Sequence, residues 1–233
     1  MLLLGIDFET TSVEVHDPGF RVIEVGMAVW NTEVRSVVEC FSTVIRVDLI
    51  PQKISGLTGI TTDLTQDGSN SFESCMGTAF NALLRNCRHL VAHNHFFEKE
   101  VMERYKIDLW QDIVWIDTMT DIMYPDWMGA RNLVQLASLH RIMNPSPHRA
   151  LNDVLVMFDI LGQYNFDDVL AIATTPFVNV IAKVSYDDRN LAKNRGFRWD
   201  PVAKVWYKTI REFLLRKEEQ EYEFEVEINT VND

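Results

Sequence analysis

Cysteine is scarce in this sequence. Three residues in 233 (Cys40, Cys75 and Cys87) show the spacing of neither a disulfide framework nor a zinc knuckle. An odd set of thiols without a readable leader points to a reducing, cytoplasmic setting. Long apolar runs are also missing: 47% of the residues are apolar, but Gly, Asp or Glu breaks every run, so no transmembrane helix and no membrane partner is expected. Met1-Leu2-Leu3-Leu4-Gly5-Ile6 lacks the basic flank of a secretory leader and runs straight into Asp7, so it reads as a first strand. There is no internal repeat. The third shortage is positive charge. A net −12 is the wrong sign for the usual nucleic-acid footprint.

The distribution of that charge changes its meaning. Met1 to Ala182 carry 12 Lys/Arg against 23 Asp/Glu, a net of −11. Lys183 to Arg211 carry eight against three, a net of +5, and the stretch beyond Arg216 sets Lys217 against seven acids. An acidic body is what a carboxylate metal site produces before its cations are counted. Charge alone excludes neither a nuclease nor a protein-binding module.

The length fits one ordinary domain with a small appendage. Apolar, β-branched segments predict strands at 1–8, 21–30 and 34–47, with Asn31-Thr32 as a hairpin connection and 54–61 as a loop. Helical spacing of apolar residues follows at 72–84, then a short strand at 89–92, a helix at 96–105, a strand at 113–116, a helical face over 133–140 and a helix over 151–161. Strands first, then alternation of strand and helix, predict an α/β fold with a mixed sheet covered by helices. Thr174-Thr175-Pro176 marks a boundary. The expected division is a first domain over 1–168, a linker over 169–180, a small basic and aromatic α+β module over 181–216 and an acidic tail over 217–233, the tail being either an edge strand or a disordered end.

Three clusters carry chemistry. Asp7-Phe8-Glu9 ends the first strand, where residues i and i+2 share a face, so both carboxylates project together while Phe8 enters the core. Paired carboxylates need cations or a shared proton, and hard oxygen ligands suit Mg²⁺ or Mn²⁺. Taken alone, such a pair is more often a solvated strand end. The second cluster is His148-Arg149-Ala150-Leu151-Asn152-Asp153, with Asp153 fixed on a helix and His148 on the approach to it; histidine changes charge near neutral pH and suits a general base. In the third, Ala92-His93-Asn94-His95-Phe96-Phe97-Glu98, a strand leads into a helix that Asn94 is expected to cap and that carries Glu98 one turn on. His93 and His95 have no third ligand at zinc spacing.

Together and in this order, these elements resemble the DnaQ-like (DEDDh) 3′–5′ exonucleases, most closely the exonuclease X branch. The matching pieces are Asp7-Phe8-Glu9-Thr10-Thr11, Ile23-Glu24-Val25, Leu57-Thr58-Gly59-Ile60-Thr61, Ala92-His93-Asn94-x-x-Phe97-Glu98, Asp117-Thr118 and His148-Arg149-Ala150-Leu151-x-Asp153. The resemblance implies a ribonuclease-H-like domain in a bacterial or phage-encoded protein. It implies two Mg²⁺ ions, replaceable by Mn²⁺, held about 4 Å apart by Asp7, Glu9 and Asp153 with Glu98 on one of them. His148 is then the base that deprotonates the attacking water, and nucleoside 5′-monophosphates leave DNA 3′ ends. Thr10, Thr58 and Asn94 become candidate substrate contacts. One residue departs from the pattern. The family's second motif ends in aspartate and this chain has Glu98, whose extra methylene carries the carboxylate about 1.5 Å further out. Asp117 is a further carboxylate expected near that metal.

The segment Ala192-Lys193-x-x-Gly196-x-Arg198-Trp199-Asp200-Pro201-x-x-Lys204-x-Trp206-Tyr207 resembles a small uncharacterised module attached to DNA-processing enzymes. Cations interleaved with aromatic rings suit single-stranded nucleic acid, with Arg198 and Lys204 as contacts; the tryptophans serve equally as the anchors of a very small core. Three functions stay open: a DNA 3′ exonuclease acting in repair or replication, the same chemistry on RNA, and a nucleic-acid-binding protein weakened at Glu98.

Overall fold

The computed structural model describes residues 1–66, 68, 71–109, 113–129 and 131–230. They form two compact units, Met1–Phe166 and Asp167–Asp233.

The first unit is a ribonuclease-H-like mixed five-stranded sheet in the order β3-β2-β1-β4-β5, with β1 Leu2–Thr10, β2 Val22–Asn31, β3 Ser36–Val44, β4 His89–Ala92 and β5 Val114–Asp117. β2 runs antiparallel to both β1 and β3, while β4 adds parallel to β1 and β5 parallel to β4. Alternation sorts β1 cleanly. Leu4, Ile6 and Phe8, with Val25, Met27 and Val29 opposite them, enter the core shared with Phe72, Met76, Phe80, Val101 and Met102. The other face of the same strands holds Gly5, Asp7 and Glu9 against Ala28, Gly26 and Glu24.

The helix Ala150–Leu161 lies on this second face, and two glycines admit it. A Cβ on Gly26 would stand 2.1 Å from the Leu151 nitrogen, and one on Gly5 would stand 2.5 Å from the Phe158 ring. Trp30 then stacks on Phe158 at 5.6 Å and 7°. The bare strip across β1 and β2 brings the helix start onto the strand that carries Asp7 and Glu9.

Some expectations need correction. The 54–61 loop is a helix, Gln52–Thr58, ended by Gly59 in the left-handed region at φ 72°. Pro51 at its start and a glycine past its end are helix boundary signals that a loop assignment overlooks. The 72–84 helix is interrupted by a π turn over Met76–Phe80, where Gly77 is a poor helix former and the Thr78 hydroxyl takes the Ser74 carbonyl.

The second unit is a four-stranded antiparallel sheet in the order β7-β8-β6-β9, with β6 Phe177–Lys183, β7 Arg198–Asp200, β8 Val205–Arg211 and β9 Glu225–Thr230. Its core is Val178, Val180, Ala182, Ala192, Phe197, Ile210 and Leu215, with Trp206, Tyr222 and Phe224 packed against it. The span expected as a linker carries the helix Phe166–Ala173 and the start of β6, and the acidic tail supplies β9. That strand pairs with β6 from Val178↔Thr230 to Lys183↔Glu225, so of the two states left open for the tail, the strand is the one adopted.

Gly26→Ala drives a methyl into helix backbone that cannot rotate away, and is expected to cost about 3 kcal/mol, the upper end of overpacking. Gly5→Ala meets the Phe158 and Val154 side chains instead and is expected to cost less. Urea midpoints of the two variants check the order; equal midpoints would mean that the helix does not depend on the Gly26 contact.

Candidate active site

Five acidic side chains approach one another at the C-terminal end of β1. Register sets Glu9 directly opposite Glu24 on β2, a like-charged pair that repels unless one member is neutralised. Glu24 is, and it is 2% exposed. The Arg149 guanidinium grips it, with Nε 3.1 Å from both oxygens and Nη2 2.7 Å from Oε1, while the Ala150 amide donates to Oε2 at 2.8 Å. A carboxylate from the sheet thereby caps a helix 126 residues away in sequence and complements its positive end.

This clamp fixes the residues on either side of Arg149. Asp153 lies in the first turn of the helix at 8% exposure. His148, just before it, holds a left-handed backbone at φ 61°, a conformation that costs a non-glycine residue about 1–2 kcal/mol. Its amide donates to Asp153 Oδ2 at 3.1 Å, which offsets part of that. Asn152 Nδ2 donates to the Asn144 side-chain oxygen Oδ1 at 2.6 Å and closes the 144–152 loop. Glu9, His148 and Asp153 each bring one ligand atom, and the three atoms lie within 4.8 Å of one another.

Glu98 arrives from the other side, in the first turn of His95–Arg104. Asn94 precedes this helix but does not cap it with its side chain as expected. It adopts the left-handed region at φ 75°, and its amide donates to Asp117 Oδ1 at 2.9 Å. Asp117 therefore organises the turn. It is fully buried, also accepts the Met119 amide, and lies 3.1 Å from His95 Nδ1. Burial pushes its pKa up, but the hydrogen bonds from His95 and the two amides prevail and hold it below the ordinary value. His93 spends both ring nitrogens, on Thr118 Oγ1 at 3.0 Å and on the Arg131 carbonyl at 2.6 Å.

Of the remaining candidates, Asn94 is exposed. Thr10 and Thr58 are 8% and 4% exposed, and their hydroxyls are taken by the Ser12 carbonyl and by the Ile54 carbonyl and Ile60 amide. Both shape loops. Arg198 and Lys204 lie in the second unit, on β7 and in the turn after it. Sequence reasoning gave no role to Glu24 and Arg149. A lone glutamate inside the apolar run Val22-Ile23-Glu24-Val25 was the available signal, since a buried charge demands a partner.

The remaining carboxylates lack that relief. Burial, then repulsion from Glu98, Glu9 and Asp153, lifts Asp7 far above its ordinary pKa. Burial, then Asp153 and Glu24, lifts Glu9 to about 8, opposed by Arg149. Burial also lifts Asp153, opposed by the His148 amide, and lifts Glu98, with Asp117 and Glu9 adding to it. Glu98 Oε2 is buried and accepts no hydrogen bond. An orphaned carboxylate oxygen within a hard-oxygen cluster that is short of positive charge fits divalent cations of the Mg²⁺ or Mn²⁺ type.

Comparison with known proteins identifies the family and the fold. Residues 4–161 match the profile of a family described as exonuclease, and residues 178–228 match a domain of unknown function. No curated protein matches the chain. Among solved structures it is similar to the nuclease domain of 3′hExo, a DEDDh family member bound to rAMP, at 17% identity and TM-score 0.57, covering 70% of this chain and 90% of that one. It is similar to exonuclease X in complex with 5′ overhanging duplex DNA, at 19% and 0.55, covering 73% and 99%. E. coli exonuclease I in complex with a dA16 oligonucleotide stands at 17% and 0.56, covering 83% and 50%. The chain spans 59% of the full-length 3′-exonuclease and half of exonuclease I.

The raised carboxylates have a consequence for stability. In the metal-free protein Glu9 keeps its proton up to about pH 8, whereas the unfolded chain releases it near 4.5. Between these values the folded state binds more protons, so its stability falls as pH rises. The thermal midpoint in EDTA is expected to drop across this window and to be restored by Mn²⁺ at its upper end. A midpoint in EDTA that does not change with pH would show that these groups ionise freely.

Proposed function

This chain belongs to the exonuclease family, and from that premise we propose that it removes nucleotides one at a time from DNA 3′ ends. The observation that carries the proposal is the meeting of Glu9, His148 and Asp153 within 4.8 Å, beside the buried, unpartnered Glu98 Oε2. Asp7, Glu9 and Asp153 would hold two Mg²⁺ ions, with Glu98 on one of them directly or through water. Bound there, the cations would draw charge from the phosphodiester and stabilise its developing negative charge. His148 would accept the proton of the attacking water. The new bond forms at phosphorus, the bond to the 3′ oxygen breaks, and a nucleoside 5′-monophosphate leaves a strand shortened by one residue. Arg149 stays on Glu24 and keeps His148 and Asp153 in register. Thr10 and Thr58 would act through the loops that they shape, and Asn94 would face the terminal nucleotide.

The second unit supports a narrower contact than its sequence suggested. Strand β9 brings acids back onto the basic segment, pairing Lys183 with Glu227, while Arg195 meets Glu221 and Lys208 meets Glu218. Arg198 and Lys204 carry no ion pair among the described residues. Trp199, at 49% exposure, has its ring 5.7 Å from that of Trp206. These three side chains are the proposed contact with single-stranded nucleic acid. Arg198→Ala with Lys204→Ala is expected to lower the salt slope of binding to a long single strand by about 1.4, the share of two phosphates. An unchanged slope would turn the unit into a protein-contact module.

The enzymatic proposal is tested with labelled single-stranded DNA, duplex DNA and RNA, each in Mg²⁺ and in Mn²⁺. Asp7→Ala and Asp153→Ala are expected to abolish hydrolysis with the fold intact. His148→Asn, chosen because asparagine tolerates a left-handed backbone, is expected to lower turnover by about 10²–10⁴ with Mg²⁺ affinity unchanged. Glu98→Asp is expected to raise turnover or to relax a preference for Mn²⁺. Faster cleavage of RNA would move the substrate to the other nucleic acid, and full activity in Asp7→Ala would move the site.

A further inference from the structure

His148 differs from His93, whose two ring nitrogens are both occupied. Neither ring nitrogen of His148 has a hydrogen-bond partner among the described residues, although one of them lies within 4.8 Å of carboxylate oxygens from Glu9 and Asp153. The ring is not free to wander. The backbone of His148 is held at φ 61° by the bond to Asp153 Oδ2, and the next residue is gripped by Glu24. Two carboxylates and one unpartnered imidazole, set in place from both sides, form a mixed nitrogen and oxygen ligand set. Magnesium has little use for imidazole nitrogen, whereas zinc and its neighbours favour it.

We infer that Glu9, His148 and Asp153 form a zinc-class site that competes with catalysis, with His148 as a ligand instead of a base. Zinc bonds of about 2.0–2.2 Å in a tetrahedral set require these ligand atoms to close by up to about 1.4 Å, with water completing the fourth position. A cation bound in this way takes up the imidazole lone pair that would otherwise receive a proton. It also takes the two carboxylates on which the Mg²⁺ arrangement depends. The protein would then be active with Mg²⁺ or Mn²⁺ and silenced by zinc on the same side chains.

The test needs no substrate. The metal-free full chain is titrated with Zn²⁺ by calorimetry, and separately loaded with Co²⁺ to read its visible d–d bands. One Zn²⁺ is expected to bind at least 100-fold more tightly than Mg²⁺, and Co²⁺ to give the intense bands of a four-coordinate site. In His148→Asn, Zn²⁺ affinity is expected to fall by at least about 10–100-fold, the loss already seen when only an outer partner is removed, and the Co²⁺ bands to weaken. Mg²⁺ and Mn²⁺ affinities should stay within twofold. One equivalent of Zn²⁺ added to the Mn²⁺-loaded protein should stop hydrolysis, and EDTA followed by Mn²⁺ should restore it. Unchanged Zn²⁺ affinity in His148→Asn would overturn the inference, as would a zinc-loaded protein that hydrolyses at the Mn²⁺ rate. The inhibitory role rests on the exonuclease proposal but the binding does not, so a chain inert with every metal would sink that proposal while the titration still decided the site.

Discussion

The Glu24 carboxylate is the constraint on which the rest of the first unit depends. It stands in the middle of a buried strand, where an unpaired charge would be prohibitively costly, and its partners come from the far side of the sequence. Because Arg149 and the Ala150 amide both bind it, the start of the Ala150–Leu161 helix has one seat on the sheet. The absent side chain of Gly26 lets it sit there. His148 and Asp153 flank the clamped residue, so their distance from Glu9 follows from an interaction made by other residues. Arg149 is part exposed while Glu24 is sealed, so water screens the pair from one side and the ion pair escapes the full desolvation of a buried one.

The carboxylates beside this clamp are treated differently. Glu24 receives a guanidinium and an amide, and Asp117 receives two amides and a histidine. Asp7, Glu9 and Glu98 receive burial and one another. The fold therefore satisfies the acids that hold it together and leaves unsatisfied the ones that gather at the end of β1. That contrast separates the two groups of carboxylates more sharply than their burial does, since Glu24 and Glu98 are equally hidden at 2% exposure.

Local pattern made much of this visible in the sequence. The alternation in Asp7-Phe8-Glu9 places both acids on one face, and the strand–helix junction carrying Glu98 and the helix start carrying Asp153 follow from apolar periodicity. What stayed hidden depends on contacts distant in the chain or on backbone signs. Nothing local says that Glu24 reaches Arg149, that Asn94 takes a left-handed turn because Asp117 receives its amide, or that the Thr10 and Thr58 hydroxyls are consumed by nearby carbonyls. Charge counting erred most in the second unit, because a sum over consecutive residues cannot know that Glu227 folds back beside Lys183. The 167–233 unit carries 10 Lys/Arg against 13 Asp/Glu, which leaves Arg198 and Lys204 as local features of an acidic unit.

Strand β6 is central in the second sheet, with β8 on one side and β9 on the other. Its second neighbour ends at Thr230, 47 residues after Lys183 closes β6 itself. During synthesis the first unit can close as soon as its helix to Leu161 has emerged, since domains fold as units in the order in which they are made. The second unit has no such freedom. Until the residues up to 230 leave the ribosome, one edge of β6 keeps a row of open amides and carbonyls beside Val178 and Val180, the kind of edge that recruits strands from other chains. The glutamates of β9 then have a further use: they keep the last-arriving strand soluble, and repelled by its own copies, until its place beside β6 is free.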